Sequence, residues 1–388
     1  MVTMMKKIIK VWLILILVIC NCFISSSCWD YTEFNNVIPV AGIAIDKDDK
    51  TGEYLLTLEV IQPTEDGNSI QSVVLEGRGK TVHGCFRETI TTTGNMVSTR
   101  HAALYIIDKE IAEEGIIPVI DLVDRDVDVR SDMLVFVCDE KNAGDIFKKT
   151  KDLEEIISYQ IINTVESQKL SGRFLSTKLY EFVDELTREG ISPTLTNIYV
   201  GHTANDIIAK TKGTHVFKDD KVVGFLDGEE TFYLTFIKGN EKLKTVFPIS
   251  LSDGTKVSLE MVGFNKKIKP YLKNDEMTFD INLDVNVIVS EIGGAKEDYL
   301  SKAGRYEIKR VAEKLLESNI KKVIYKAQND LDSDIFGFGE ILKKKEPKYW
   351  KENKGMWDEE FKLLKVNVNC DVHIRGSALK KNTIKVGK

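Results

Sequence analysis

The pattern between Met277 and Ile374 constrains this chain more than any other feature. Met277, Phe279, Ile281, Leu283, Val285, Val287 and Val289 alternate with mostly polar residues. Leu364, Val366, Val368, Cys370, Val372 and Ile374 do the same against Lys365, Asn367, Asn369, Asp371, His373 and Arg375. Successive strand residues point to opposite faces, so a period of two over such lengths requires strands with one buried and one wet face. That pattern is typical of an antiparallel sheet. Between the two runs, residues 298–329 predict one long helix. Its stripe is Leu300, Ala303, Val311, Leu315, Ile320, Val323, Ile324 and Ala327, at spacings that place them on one face able to cover the sheet. Strands followed by a helix laid across them define an α+β unit.

The first half mixes the two element types more finely. Residues 37–46 and 54–62 are β-rich runs joined by a polar connection, which predicts a hairpin. Residues 110–124 predict a helix disturbed at Pro118, and 133–138 a short strand. Two amphipathic helices follow, one with Leu153, Ile156, Ile157, Ile161 and Val165 on its face. The other carries Leu175, Leu179, Phe182, Val183 and Leu186, with Gly190 placed to end it. After a strand at 194–200, residues 201–212 are polar and aperiodic, which places a domain boundary there. A second hairpin then turns at Asp219-Asp220-Lys221. The expected fold is α+β with two to three small domains, each a mostly antiparallel or mixed sheet covered by helices. The expected divisions are 1–27, 28–202 and 203–388, the last divisible into a hairpin-containing part at about 203–252 and a sheet-plus-helix part at about 253–388.

Residues 1–27 read as an export signal. Lys6, Lys7 and Lys10 precede an apolar run at 11–24, and Ser25-Ser26-Ser27 supply the small side chains a signal peptidase needs beside its cut. The apolar run is short for a membrane span, which takes roughly 20 residues; an uncleaved N-terminal helix is the alternative. Cleavage leaves Cys28 at the new N-terminus with a thiol that can carry lipid. Ser-Ser-Ser-Cys resembles a bacterial lipobox, departing from it at Ser25, where Leu is usual. The lysines at 6, 7 and 10 are the only charged residues before Cys28, so the remainder carries 51 basic and 60 acidic side chains, a net charge of −9. Such a balance excludes nucleic acid as the expected partner, because phosphate binding needs a concentrated positive field. Cys85, Cys138 and Cys370 form an odd, widely spaced set, expected in the core rather than in disulfides.

No assembled active site is legible. His83, His101, His202, His215 and His373 show no i, i+4 pair and no H-E-x-x-H, and there is no G-x-S-x-G elbow and no P-loop. Asp330, Asp332 and Asp334 fall at the first, third and fifth positions of an EF-hand-like loop. The sixth position is Ile335 instead of Gly and the twelfth is Ile341 instead of Glu, so a polar connection between helices is expected. No catalytic residue, metal or cofactor is expected. The final 46 residues carry 13 Lys and Arg against six acids, which suits an anionic lipid or acidic partner as well as a solvated face.

Cys28-Trp29-Asp30-Tyr31-Thr32-Glu33 resembles the start of the mature Ger(x)C family, the lipoprotein C subunits of nutrient germinant receptors in spore-forming bacteria. The match continues at Gly42-Ile43-Ala44-Ile45-Asp46, at Gly77, Gly79 and Thr81, and at His101 and residues 110–130. It then runs through Gly213-Thr214-His215-Val216-Phe217-Lys218-Asp219 and Gly224, with His215 in place of the usual Ala, to Gly337, Gly339, Pro347, Trp350, Trp357 and Phe361. The resemblance implies an α+β lipoprotein without enzymatic activity. It implies attachment to the outer face of the cytoplasmic membrane, in the spore the inner membrane, through acyl chains on diacylglyceryl-Cys28. The implied partners are integral-membrane A and B subunits, with direct nutrient contact left open. A lipid-anchored solute-binding protein of a transporter is the competing expectation, for which repeated parallel βα lobes are usual.

Overall fold

A computed structural model describes residues 2–24, 37–64, 66–150, 156–168, 171–202, 204, 206–239, 243–273, 276–294 and 298–376. Helix α1 (Val2–Ile24) comes first. Its side chains from Met4 to Ile19 are all exposed.

Among the described residues the strands form two sheets. The larger has nine: β1 (Val37–Lys47), β2 (Tyr54–Pro63), β3 (Ile70–Gly79), β4 (Met96–Ser98), β5 (Leu104–Asp108), β6 (Leu134–Cys138), β7 (Thr194–His202), β8 (Ile207–Lys218) and β9 (Lys221–Leu226). Their order is β3-β2-β1-β5-β6-β7-β8-β9, with β4 paired to β1. The middle strands β1, β5, β6 and β7 run parallel, and antiparallel hairpins extend the sheet at both ends.

Helices cover both faces of this sheet. Ile43, Ile45, Tyr105, Ile107, Val135 and Val137 meet α2 (Val82–Thr93), α3 (Lys109–Glu114), α4 (Ile117–Arg125) and α7 (Leu179–Thr187). Ala44, Leu104, Ile106, Phe136 and Cys138 point the other way, toward α5 (Asp145–Lys149) and α6 (Ile157–Gln168). With both faces dry, these strands are continuous apolar runs. The single helix expected over 110–124 is two, because Gly115 takes φ +141 between them and Pro118 sits in the first turn of α4.

The smaller sheet has the order β10 (Thr245–Ser250), β11 (Lys256–Lys273), β12 (Glu276–Gly293) and β13 (Lys365–Gly376). Its first two pairings are antiparallel, but β12 and β13 run parallel, from Thr278↔Lys365 to Ile288↔Gly376. The alternating strands are therefore not all antiparallel, and the sheet is mixed. The covering layer is α8 (Gly228–Thr235), α9 (Lys302–Asn329), α10 (Phe338–Lys345), α11 (Pro347–Asn353) and α12 (Trp357–Leu363). Ser301 caps α9 through its side chain, and the fully buried line of that helix is Gly304, Ile308, Ala312, Leu316, Ile320 and Ile324. Val311 and Leu315 flank the line, half-buried, instead of forming it, and Ala303 is exposed.

The expected division at 202/203 falls between β7 and β8, which pair from Thr194↔Val216 to His202↔Ile207. The hairpin β8–β9 belongs to the larger sheet but faces two ways. Phe217 enters the core beneath α7, while Val216 and Leu226 enter the core of the smaller sheet.

Candidate functional site

The residues expected at the lipid site, Cys28, Trp29, Asp30 and Glu33, lie outside the described residues. The remaining motif residues gather at three places.

The first is the carboxyl end of the parallel strands. Asp46 ends the buried part of β1 and accepts hydrogen bonds from the N–H groups of Ala143 and Gly144 (the latter at 3.0 Å), which open the segment leading into α5. Burial pushes its pKa up to about 6, against the opposing pull of those two donors and of Lys148. On the neighbouring strand Asp108 caps α3 by accepting from the Glu110 N–H at 2.7 Å. Burial, with the charge of Asp46 adding to it, raises Asp108 to about 7. Gly42 is required by close approach: a Cβ there would lie 2.1 Å from Ser158 Oγ and 2.6 Å from Phe147 Cζ. Ser158 is held by Glu59 of β2, whose carboxylate accepts from the Ile157 N–H at 2.6 Å, the Ser158 N–H at 2.8 Å and the Ser158 hydroxyl at the start of α6.

The second place is the β8–β9 hairpin. The Gly213 N–H donates to the Arg173 carbonyl at 3.0 Å. Phe217 packs edge-on against Phe182 of α7, with centroids 5.3 Å apart, and Gly224 leaves room for Leu331. His215 is fully buried, 3.3 Å from Asn197 Oδ1 and tilted against Phe225 at 5.0 Å. Its Nδ1 finds no partner among the described residues. Burial lowers its pKa to about 4, so it is a neutral core side chain at physiological pH.

The third place joins the two halves of the molecule. Asp334 is buried, and its Oδ1 accepts from the N–H groups of Phe336, Gly337 and Phe338 at 3.2, 3.0 and 3.1 Å. Its Oδ2 accepts from the Gly339 N–H at 2.9 Å and from Trp357 Nε1 at 3.2 Å. Gly337, at φ +73, supplies the left-handed turn that folds these donors around the acid. Gly339 has no space for a side chain, since its Cβ would lie 2.6 Å from Gly190 Cα, 2.8 Å from Trp357 Nε1 and 2.9 Å from the Trp350 ring. Trp350 and Trp357 meet edge to face at 5.6 Å. The first half is stitched here by Ser192 N–H to the Asp334 carbonyl at 2.8 Å and Glu340 N–H to the Gly190 carbonyl at 3.0 Å. Even with five donors, burial keeps the Asp334 pKa up at about 6.

The three aspartates of the EF-hand-like spacing diverge: Asp330 ends α9, Asp332 binds Lys218 and Lys362, and Asp334 turns inward. The thiols are equally occupied with packing. Burial pushes Cys85 up to about 11 and Cys370 to about 12, and it also raises Cys138. Thiols held so far above neutral pH are poor nucleophiles. A cleft of about 680 Å³ opens between α7, the start of β7 and the end of α8. Lys238 bridges it, 2.7 Å from Glu185 and 2.9 Å from the Thr194 hydroxyl.

Sequence reasoning missed Glu59 and Asp108, and it read Asp334 only as part of a polar connection between helices. The first two carried a usable signal, an acid inside or ending an apolar strand run, which demands buried donors.

Gly42, Asp46, Gly213, Gly224, Gly337, Gly339 and the two tryptophans thus serve as structural joints. Two family models match the chain. The one described as "Spore germination protein N-terminal domain" matches residues 30–200, and the one described as "Spore germination B3/ GerAC like, C-terminal" matches 212–378. The chain belongs to this GerAC-like family of spore germination proteins. Among its relatives, spore germination protein KC of Bacillus subtilis (strain 168) is 22% identical over 96% of this chain and 97% of its own length. Spore germination protein A3 of the same organism is 24% identical over 93% and 96%. The crystal structure of the GerBC protein shares the fold, with a TM-score of 0.58 at 21% identity over 86% of this chain and 97% of that one.

Proposed function

We propose that this chain is a non-catalytic, lipid-anchored subunit of a spore nutrient germinant receptor, assembling with integral-membrane A and B subunits at the outer face of the spore inner membrane. The observation that carries the reading is family membership along both halves of the chain. Two further features support it. The joints described above are occupied by backbone donors and packing, which suits a rigid docking body better than a reaction centre. In α1, the lysine-free part at 11–24 is about 21 Å long at 1.5 Å per residue, shorter than the ~30 Å hydrocarbon layer. Its side chains as far as Ile19 are exposed, which suits a segment removed by cleavage before Cys28.

On this reading Cys28 carries the anchor. One acyl chain holds a protein only marginally, whereas two or three together hold firmly at ~0.8 kcal/mol per buried CH₂. Confinement to a thin layer then raises the effective concentration of the body toward membrane partners. The test is fractionation and crosslinked pull-down from spore membranes of wild type and Cys28→Ala. The expected result is that wild type sediments with membrane and captures integral-membrane subunits, while the variant keeps its signal or becomes soluble. A variant that fractionates with membrane at mature size removes Cys28 as the lipid site. Absence of any integral-membrane protein in the wild-type capture removes the receptor reading. A solute-binding protein would instead bind a nutrient tightly as a purified body, without membrane subunits.

A further inference from the structure

We propose that Asp284, Asp371 and His373 form a binding site for a divalent transition-metal ion, with Zn²⁺ the first expectation, on the wet face of the smaller sheet. The inference stands apart from the receptor reading. In the parallel pairing of β12 and β13, Asp284 lies directly opposite Asp371, and His373 follows two residues on, opposite Asn286, so all three share the uncovered face. His373 Nε2 is 3.6 Å from Asp371 Oδ2 and 4.0 Å from Asp284 Oδ1, and one ligand atom from each residue lies within 4.8 Å of the others. Ligands ~2.0–2.1 Å from a tetrahedral zinc lie about 3.4 Å apart, so closure takes side-chain movements of about 0.2 Å between His373 and Asp371, about 0.6 Å between His373 and Asp284, and up to about 1.4 Å between the two carboxylates.

Further features of the surroundings point to a cation. Like charges directly opposite on neighbouring strands repel, and here the opposed pair is two carboxylates. Lys309 of α9 donates to the other oxygen of Asp371, Oδ1, leaving Oδ2 turned toward the imidazole. This is the arrangement of an outer-shell group that orients a ligand. On the other side of Asp284, Asn265 of β11 is its register partner. The ligands stand on paired strands rather than loops, so little ordering is needed on binding. One imidazole with two carboxylates suits zinc or manganese, whereas calcium takes oxygen ligands alone.

The test uses the full chain in detergent, stripped with chelator, then titrated with Zn²⁺ and separately with Ca²⁺ by calorimetry. Co²⁺ absorption reports coordination geometry. A single Zn²⁺ is expected, with binding weakened at least ~10-fold by His373→Ala and by Asp284→Asn, less by Lys309→Ala, and unchanged by His101→Ala. These side chains are exposed or half-buried, and unchanged circular dichroism establishes that the variants fold. Failure of wild type to bind Zn²⁺ at millimolar concentration overturns the proposal, as does equal binding by His373→Ala. Calcium binding that ignores the loss of the imidazole also overturns it, leaving only an acidic surface.

Discussion

The two sheets solve the same problem differently. In the larger sheet β5 is buried at every position, because helices lie on both faces. In the smaller, β12 alternates buried and exposed residues for most of its length, because α8–α12 cover one face only. The difference teaches that side-chain period reports how many faces are dry, not the direction of the neighbouring strand. Strands β12 and β13 alternate as antiparallel strands usually do, yet they run parallel, since hydrogen-bond direction is a property of the backbone that leaves no period-two mark. The parallel edge is protected in a way no periodicity predicts. Glu317 and Glu313 of α9 accept the outward N–H groups of Cys370 and Val372, each at 3.0 Å, blunting the edge against further pairing.

The buried acids extend this contrast, and its sharpest test is their removal. Asp334 holds four backbone N–H groups and an indole, whereas Asp46 holds two backbone N–H groups. Leaving such donors unsatisfied costs about 1–3 kcal/mol each before relaxation and water entry. Asp334→Ala is expected to lose ~4 kcal/mol and Asp46→Ala ~2 kcal/mol, read from urea midpoints of the full chain in detergent. Equal losses would mean that the seam between the two halves has no special weight.

Next in size is pH. Asp46 and Asp334 have folded pKa values of about 6 and Asp108 about 7, all above the ordinary 3.8. Between roughly pH 4 and 7 the folded chain therefore holds protons that the unfolded chain has released, and these groups make stability fall as pH rises, by up to ~3 kcal/mol each for Asp46 and Asp334 and ~4 kcal/mol for Asp108 at 1.36 kcal/mol per unit. The larger sheet carries two such groups and the smaller unit one. Asp108→Asn, which keeps the cap on α3, is expected to stabilise the protein at pH 8 and flatten its pH profile. No change in slope would show that water reaches Asp108.

Steric joints come third. Gly42→Ala is expected to cost ~2–3 kcal/mol by driving Ser158 and Phe147 from α6 and α5. An unchanged melting temperature would show that the helices on that face move freely. The smallest effect belongs to the edge. Glu317→Ala is expected to cost ~1 kcal/mol and to speed hydrogen exchange at the Cys370 amide while leaving β1 and β5 amides unchanged. Equal acceleration in both sheets would erase the distinction between a covered sheet and a guarded edge.

Much was legible from local pattern. The hairpins β1–β2 and β8–β9, strands β6, β7, β12 and β13, and the long helix α9 all follow from apolar period and turn residues, because those signals are made by neighbours in the chain. The facing of α9 was only partly legible. Apolar residues fill two adjacent rows, Ile308-Ala312-Leu316 and Val311-Leu315, and which row meets the sheet depends on the helix rotation set by β13 and α8. The boundary at 201–212 was read from polarity, but β8 continues the larger sheet, since a polar strand pairs as well as an apolar one when its backbone finds a partner. The motif residues were legible by resemblance and their purpose was not. Asp46 and Glu59 meet donors about a hundred residues further on, at Gly144 and Ile157. Asp334 gathers its backbone donors locally, but Trp357 reaches it only through the packing of α12. The sequence by itself determined the hairpins β1–β2 and β8–β9, the strands β6, β7, β12 and β13 and the helix α9, and showed that β12 and β13 bury one face. Strand direction, helix rotation and the partners of buried charges were decided by tertiary structure, because each depends on groups that only the folded chain brings together.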